Sequence, residues 1–198
     1  MSTTTTAAPT GRIMLKNVRL AFAQGLFTAS TIPGADASAK PKFNCGLIIP
    51  PDHPQLAEIK AKQIAVAKEK WKDKAASVHK ALEMKDRLAL HDGDTKPTYD
   101  GYPGNFFMSP SAAETARPTT MNGAKGNVTE KDGVLYSGCY VNASIELWAQ
   151  DNGFGQRINA QLRGVQFLRD GDSFSAGRPA DSDEFEAVTE GADADEFA

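Results

Sequence analysis

Residues 135–169 restrict the fold of this chain more than any other segment. In the first half, Leu135, Cys139, Val141, Ala143, Ile145 and Leu147 share one parity, and Tyr136, Tyr140, Asn142, Ser144, Glu146 and Trp148 share the other. A period of two held over this length defines a half-buried strand and is incompatible with a helical face. Asp151-Asn152-Gly153-Phe154 carries turn chemistry. Beyond it Ile158, Ala160 and Leu162 alternate with Arg157, Asn159, Gln161 and Arg163, so the segment is a hairpin. Pairing Gln150 with Gly155 sets Trp148 opposite Arg157, Ser144 opposite Gln161 and Asn142 opposite Arg163. The parity flips at Gly164, and Val165 and Phe167 become the apolar pair. A glycine at such a flip predicts a bulge, which bends a strand around a barrel.

The rest of the chain supplies partners for this hairpin. Residues 12–22 read as a strand in which Met14, Val18, Leu20 and Phe22 share one parity. Ile13 and Leu15 take the other, which predicts a bulge near the start. Residues 28–41 form a polar loop, and 42–49 a second strand that Pro50-Pro51 stops. Asp52, His53 and Pro54 open a helix running to about residue 74. Leu56, Ile59, Gln63, Val66, Ala67 and Trp71 trace its inner face, and Lys60, Lys62, Lys68, Lys70, Lys72 and Lys74 its outer one. A second helical piece covers 75–85, a turn-rich segment follows, and 106–109 is a short strand. Phe106 and Phe107 point to opposite faces, so one is expected to be buried. Residues 110–133 read as a long polar loop bearing Arg117, Lys125 and Lys131. Four or five strands with one interposed helix predict a mainly β protein: a small barrel with a long helix inserted between strands.

The net charge of −3 averages two unlike regions. Eight of the 25 acids and none of the 22 lysines and arginines fall in residues 181–198, so residues 1–180 carry +5. A basic body with an acidic tail indicates a polyanion ligand and a segment that competes for the same surface. Residues 1–11 and 179–198 are too polar to bury enough surface and are expected to be disordered, leaving 12–178 as one folded domain. Nothing resembles a signal peptide or membrane span, which implies a cytoplasmic location. Cys45 and Cys139 read as buried apolar groups in a reducing compartment.

Enzyme signatures are absent. There is no CxxC, HExxH, P-loop, GxGxxG or GxSxG, so no metal or cofactor is expected. Asp92-Gly93-Asp94 could hold Mg²⁺ in a nuclease. The tripeptide recurs at Asp170-Gly171-Asp172, which favours turn chemistry. Single-stranded nucleic acid needs cations for phosphates and flat side chains for bases. The outward parity of the hairpin offers Tyr136, Tyr140 and Trp148 with Arg157 and Arg163. The turn-rich segment adds Lys96, Tyr99, Tyr102 and Phe107, and the long loop adds Arg117.

The run LALHDGDTKPTYDGYPGNFFMSPSA, Arg117-Pro118, YSGCYVNASIELWAQDN and GVQFLRDGDSF, together with KFNCGLIIP and its following helix, resemble a family of phage-encoded single-stranded DNA-binding proteins. That family was first catalogued as a phage domain of unknown function. The resemblance spans roughly residues 12–175. It implies an OB-fold and a non-enzymatic protein that coats single-stranded DNA in phage replication or recombination, in the bacterial host cytoplasm. It also implies that the tail, through Asp193, Asp195, Glu196 and Phe197, recruits replication or recombination proteins. Phe197 is followed by Ala198, whereas such tails often end on the aromatic residue. Duplex DNA is a further candidate ligand. The rival readings are a Mg²⁺-dependent nuclease using Asp92 and Asp94, and a protein-interaction module whose aromatic stripe is an interface.

Overall fold

The structure, a computed structural model, describes residues 10–31 and 39–174. The expected disordered N-terminus, all but its last two residues, and the acidic tail lie outside the described residues.

Nine strands and two helices occur among the described residues. They are β1 (Arg12–Ala21), β2 (Lys42–Asn44), β3 (Gly46–Ile49), α1 (Leu56–Trp71), α2 (Ala75–Met84), β4 (His91–Asp92), β5 (Phe106–Met108), β6 (Ser111–Ala113), β7 (Thr119–Met121), β8 (Tyr140–Asn152) and β9 (Gly155–Arg169). They form one sheet in the order β2-β6-β9-β8-β1-β3-β5-β4, with β7 beside β9.

The two ends of this order belong together in sequence. β2 and β3 are halves of one run, and β5 and β6 are halves of another. Lys42↔Ala113 through Ile49↔Phe106 is a single antiparallel register. At the break the Cys45 N–H donates to the Pro110 carbonyl at 3.4 Å. The sheet therefore curls back onto the run from which it started, in the OB-like manner. Only one parallel bridge, Ser111↔Gln161, joins β6 to β9, so this is a curled sheet and not a barrel with an unbroken ladder.

The inward parity fills the curl. Ile13, Leu15, Val18 and Leu20 of β1 meet Val141, Ala143, Ile145 and Leu147 of β8 and Ile158, Leu162 and Val165 of β9. α1 packs against β8 and β9 through Ile59, Gln63, Val66, Ala67 and Trp71. Gln63 is buried because its Oε1 accepts from the N–H groups of Ala89 (2.9 Å) and Leu90 (3.2 Å). The Trp71 indole donates to Asp151 Oδ2 at 2.7 Å, which ties the helix to the hairpin tip. That bond, helped by Gln156, holds the Asp151 carboxyl below its ordinary value. Cys45 and Cys139 are free and buried, and burial pushes the Cys45 thiol up to about 12.

Several expectations need correction. β1 ends at Ala21, and Met14 and Phe22 are exposed; the expected bulge lies between Leu15 and Val18, where Asn17 takes a positive φ of 54°. The run 42–49 is two strands because its pairing with 106–113 is interrupted at Cys45, which faces Pro110, a residue with no N–H to donate. α1 begins at Leu56 and has no side-chain cap; it ends at Trp71, and a 3-10 turn leads into α2. Residues 110–133 hold β6 and β7. The first hairpin strand begins at Tyr140, not Leu135. The hairpin turn is tighter than expected: Asn152 pairs with Gly155, so Trp148 faces Asn159, Gln150 faces Arg157 and Asn142 faces Gln166. The bulge at Gly164 is present, with Arg163 as the extra residue between Leu162 and Gly164.

Candidate nucleic-acid interface

A second apolar cluster lies on the other side of β1, β3 and β5 from the core. Ala21, Ile48 and Phe107, each next in sequence to a residue of the main core or its wall, form it with Tyr102 from the turn before β5. Phe22 follows Ala21 with φ 54° and ψ 46°, a strained conformation for a bulky side chain. This ends β1 and leaves the ring 49% exposed. The Phe22 ring meets Tyr99 edge-on at 5.4 Å and Tyr102 at 6.3 Å. Tyr99 meets Tyr102 at 5.5 Å, Tyr102 meets Phe107 at 4.8 Å, and His91 stacks on Phe107 at 5.1 Å. Lys96 holds its ammonium 5.9 Å from the Tyr99 centroid.

The turn that carries these rings is built by the Asp-Gly-Asp motif. Asp92 Oδ1 accepts from the Asp94 N–H at 2.9 Å, and Asp94 Oδ1 accepts from the Gly104 N–H at 2.7 Å. Gly93 is required, since a Cβ there would lie 2.0 Å from the Tyr102 carbonyl oxygen. Both carboxylates are thus engaged in the turn. Among the described residues no cluster of three metal-ligating side chains occurs.

Burial sorts the aromatic candidates. Tyr102 is 2% exposed and Phe107 7%, so they are the floor; Tyr99, 43% exposed, and Phe22 present free ring surface. The Tyr102 hydroxyl lies over Gly46, and burial pushes it up to about 12.

Tyr136 and Tyr140 are committed differently. The Tyr136 hydroxyl reaches Asp170 Oδ1 at 2.9 Å and accepts from the Gly171 N–H at 3.1 Å, which pins the turn after β9. The Arg169 guanidinium lies 3.4 Å from the Tyr140 centroid, so one face of that ring is already covered. Arg19 stands 5.8 Å from the same ring and 4.3 Å from Phe174.

The outward face of the hairpin is a separate patch. Trp148 is 44% exposed and faces Asn159, with Arg157 opposite Gln150. Arg163 and Arg12 both bind Glu146 Oε2, at 3.2 and 3.3 Å, so one carboxylate offsets part of their charge. Trp148 and Tyr140 are eight residues apart on β8, roughly 26 Å along an extended strand. Arg117 lies apart from both patches, with its guanidinium over Phe43. Asp193, Asp195, Glu196 and Phe197 lie outside the described residues.

The structure thus brings Lys96, Tyr99, Tyr102 and Phe107 together and separates them from Trp148, Arg157 and Arg163. It adds Phe22, Arg19, Arg169 and Phe174. Arg19 was detectable, since it alternates with the buried Val18 and Leu20.

A sequence model of the family described as Enterobacter phage Enc34, ssDNA-binding protein, matches residues 11–198. A protein of Acyrthosiphon pisum secondary endosymbiont phage 1, named putative protein p50, is 40% identical over 181 residues, which cover 90% of this chain and 94% of that protein. The fold is similar to the single-stranded DNA-binding protein of bacteriophage Enc34 in complex with ssDNA, with 23% identity, a TM-score of 0.67 and coverage of 84% and 91% of the two chains. A C-terminal truncation of that protein matches at 27% identity and a TM-score of 0.65, over 84% of this chain and 90% of its own. The single-stranded DNA-binding protein gp2.5 of bacteriophage T7 matches at 11% identity and a TM-score of 0.52, over 89% of this chain and 98% of its own.

Proposed function

This chain belongs to the family of the Enterobacter phage Enc34 ssDNA-binding protein, and from that premise we propose that it binds single-stranded DNA on the face built around Phe22, Tyr99, Tyr102 and Phe107. The observation that carries the reading is an aromatic cluster outside the core, with Lys96 and Arg19 beside it. Bases stack on the free surfaces of Phe22 and Tyr99, while Tyr102 and Phe107 hold those rings in place. Every base has a flat face, so binding of this kind is largely indifferent to sequence. Lys96 and Arg19 lie where phosphates would pass. Trp148 with Arg157 forms an outlying contact that a longer strand reaches.

The protein acts by binding and not by catalysis. Asp92 and Asp94 serve the turn that positions the rings, which removes the motivation for the nuclease reading. The acidic segment 181–198 competes with DNA for the basic body. When displaced, it offers Asp193, Asp195, Glu196 and Phe197 to replication or recombination proteins in the host cytoplasm.

A gel-shift comparison of a labelled single strand and the matching duplex, each with Mg²⁺, tests the reading. The single strand should be retarded at lower protein concentration and remain uncut. Cleavage, or no retardation of the single strand, would overturn it.

A further inference from the structure

After β9 the chain turns back across the candidate interface. The Phe174 N–H donates to the Ser137 carbonyl at 2.9 Å, and the Asp172 carbonyl accepts from Arg19 Nη2 at 2.8 Å. The Phe174 ring packs against the cluster of Ala21, Ile48, Tyr102 and Phe107. On one side it meets the Arg19 guanidinium, 4.3 Å from its centroid. On another it meets the bare backbone of Gly101, where a Cβ would lie 2.6 Å from Phe174 Cζ. A flat ring is therefore held between a cation and a glycine, at the edge of the aromatic surface, and remains partly exposed.

The ring lies outside the curl, and the chain just before it is held independently of the ring, by the Tyr136 hydroxyl at Asp170 and Gly171 and by Arg19 at the Asp172 carbonyl. Arg19 keeps a separate bond, from Nε to the Gly138 carbonyl at 3.0 Å, that does not depend on the segment. The platform would therefore stay in place if Phe174 left. A guanidinium face beside aromatic rings is the arrangement on which single-stranded nucleic acid stacks its bases.

We propose that the Phe174 seat, bounded by Arg19, Gly101 and Ile48, is a nucleobase subsite that Phe174 fills when no DNA is bound. The inference rests on the DNA-binding reading above and adds to it a defined position and an occupant. A base entering the seat expels Phe174, which lies seven residues before the acidic segment in sequence. The competition is between uncharged rings, so it is distinct from electrostatic competition by the tail.

The test is the affinity of the full chain for an oligothymidylate, followed by fluorescence anisotropy at low and high salt. A seat filled nine-tenths of the time lowers apparent affinity about tenfold, so Phe174→Ala should tighten binding by up to that factor. The gain should be the same at both salt concentrations, because no charge is removed. In an Arg19→Ala background the gain should largely vanish, since the base then has no platform. Unchanged or weaker binding by a Phe174→Ala protein with the wild-type circular dichroism spectrum would overturn the subsite and leave the binding reading standing. Failure of the wild-type protein to bind the oligonucleotide would overturn the binding reading itself.

Discussion

Tyr99 and Trp148 are exposed to nearly the same extent, 43% and 44%, but their surroundings differ. Tyr99 is braced by Phe22 and Tyr102 and carries a nearby ammonium group. Trp148 faces an amide, and the nearby Arg12 and Arg163 are already shared by one carboxylate. A base stack is worth about 1–3 kcal/mol, so Tyr99→Ala should weaken single-strand binding about 5- to 100-fold. Its exposure predicts little change in melting temperature. Trp148→Ala should leave short oligonucleotides unaffected and weaken only those long enough to span roughly 26 Å from Tyr140. Anisotropy across a series of oligonucleotide lengths checks both. Residue types alone pointed to Tyr99, Tyr102 and Lys96 as candidates. They could not show which tyrosine forms the floor, because that depends on the turn held by Asp92, Gly93 and Asp94. The hairpin faces were correct even though the register was displaced. The displacement is two residues between the turn and the bulge, an even shift that keeps side chains on their faces, and three beyond it, where the extra residue Arg163 restores the parity.

Among the elements, β8, β9, α1 and α2 were legible because each is long enough to show a period. β6 and β7 were not, since three residues establish none. The split of 42–49 is set on the partner run, where Pro110 faces Cys45 and has no N–H for the ladder, so it was invisible in the residues of 42–49 themselves. α1 was recognised from its inner face, including Gln63, although a glutamine there conflicts with burial until its partners are known. The side chain joins α1 to the segment after α2 by accepting two main-chain donors. Gln63→Leu should cost about 1–3 kcal/mol for each donor left unpaired, measured by urea unfolding. Asp151 links α1 to the hairpin tip in a pH-dependent way. Its carboxyl is held low in the folded chain, so the contribution is present above the ordinary carboxylate value and is lost as pH falls through the depressed one. The Trp71 indole N–H resonance should move over that acid range in the wild type and not in Asp151→Asn.

At the scale of the whole molecule the governing fact is the separation of charge between a body of +5 and the eight carboxylates of residues 181–198. The proposed competition rests on tethering, which raises the effective concentration of the acids for the basic body. Truncation after Ala180 should tighten DNA binding most at low salt, and the gain should shrink as ions screen the attraction. Equal affinity of truncated and full-length protein at every salt concentration would exclude this competition. The salt dependence also separates the tail's effect from that of Phe174. The path of the sheet bears on how the molecule is made. β8 and β9 pair across a two-residue turn, but β1 pairs with β8 at Arg12↔Glu146, 134 residues downstream. At about 5–20 residues per second, ribosomal synthesis leaves β1 waiting roughly 7–27 s for that partner. Leu20 finds Leu47 of β3 soon after synthesis, but Ile13, Leu15 and Val18 have no strand partner until β8 is made. Of the described strands, β1 is thus the earliest made and among the last to have both of its neighbours in place, so the apolar face of its first half stays open until the hairpin is complete.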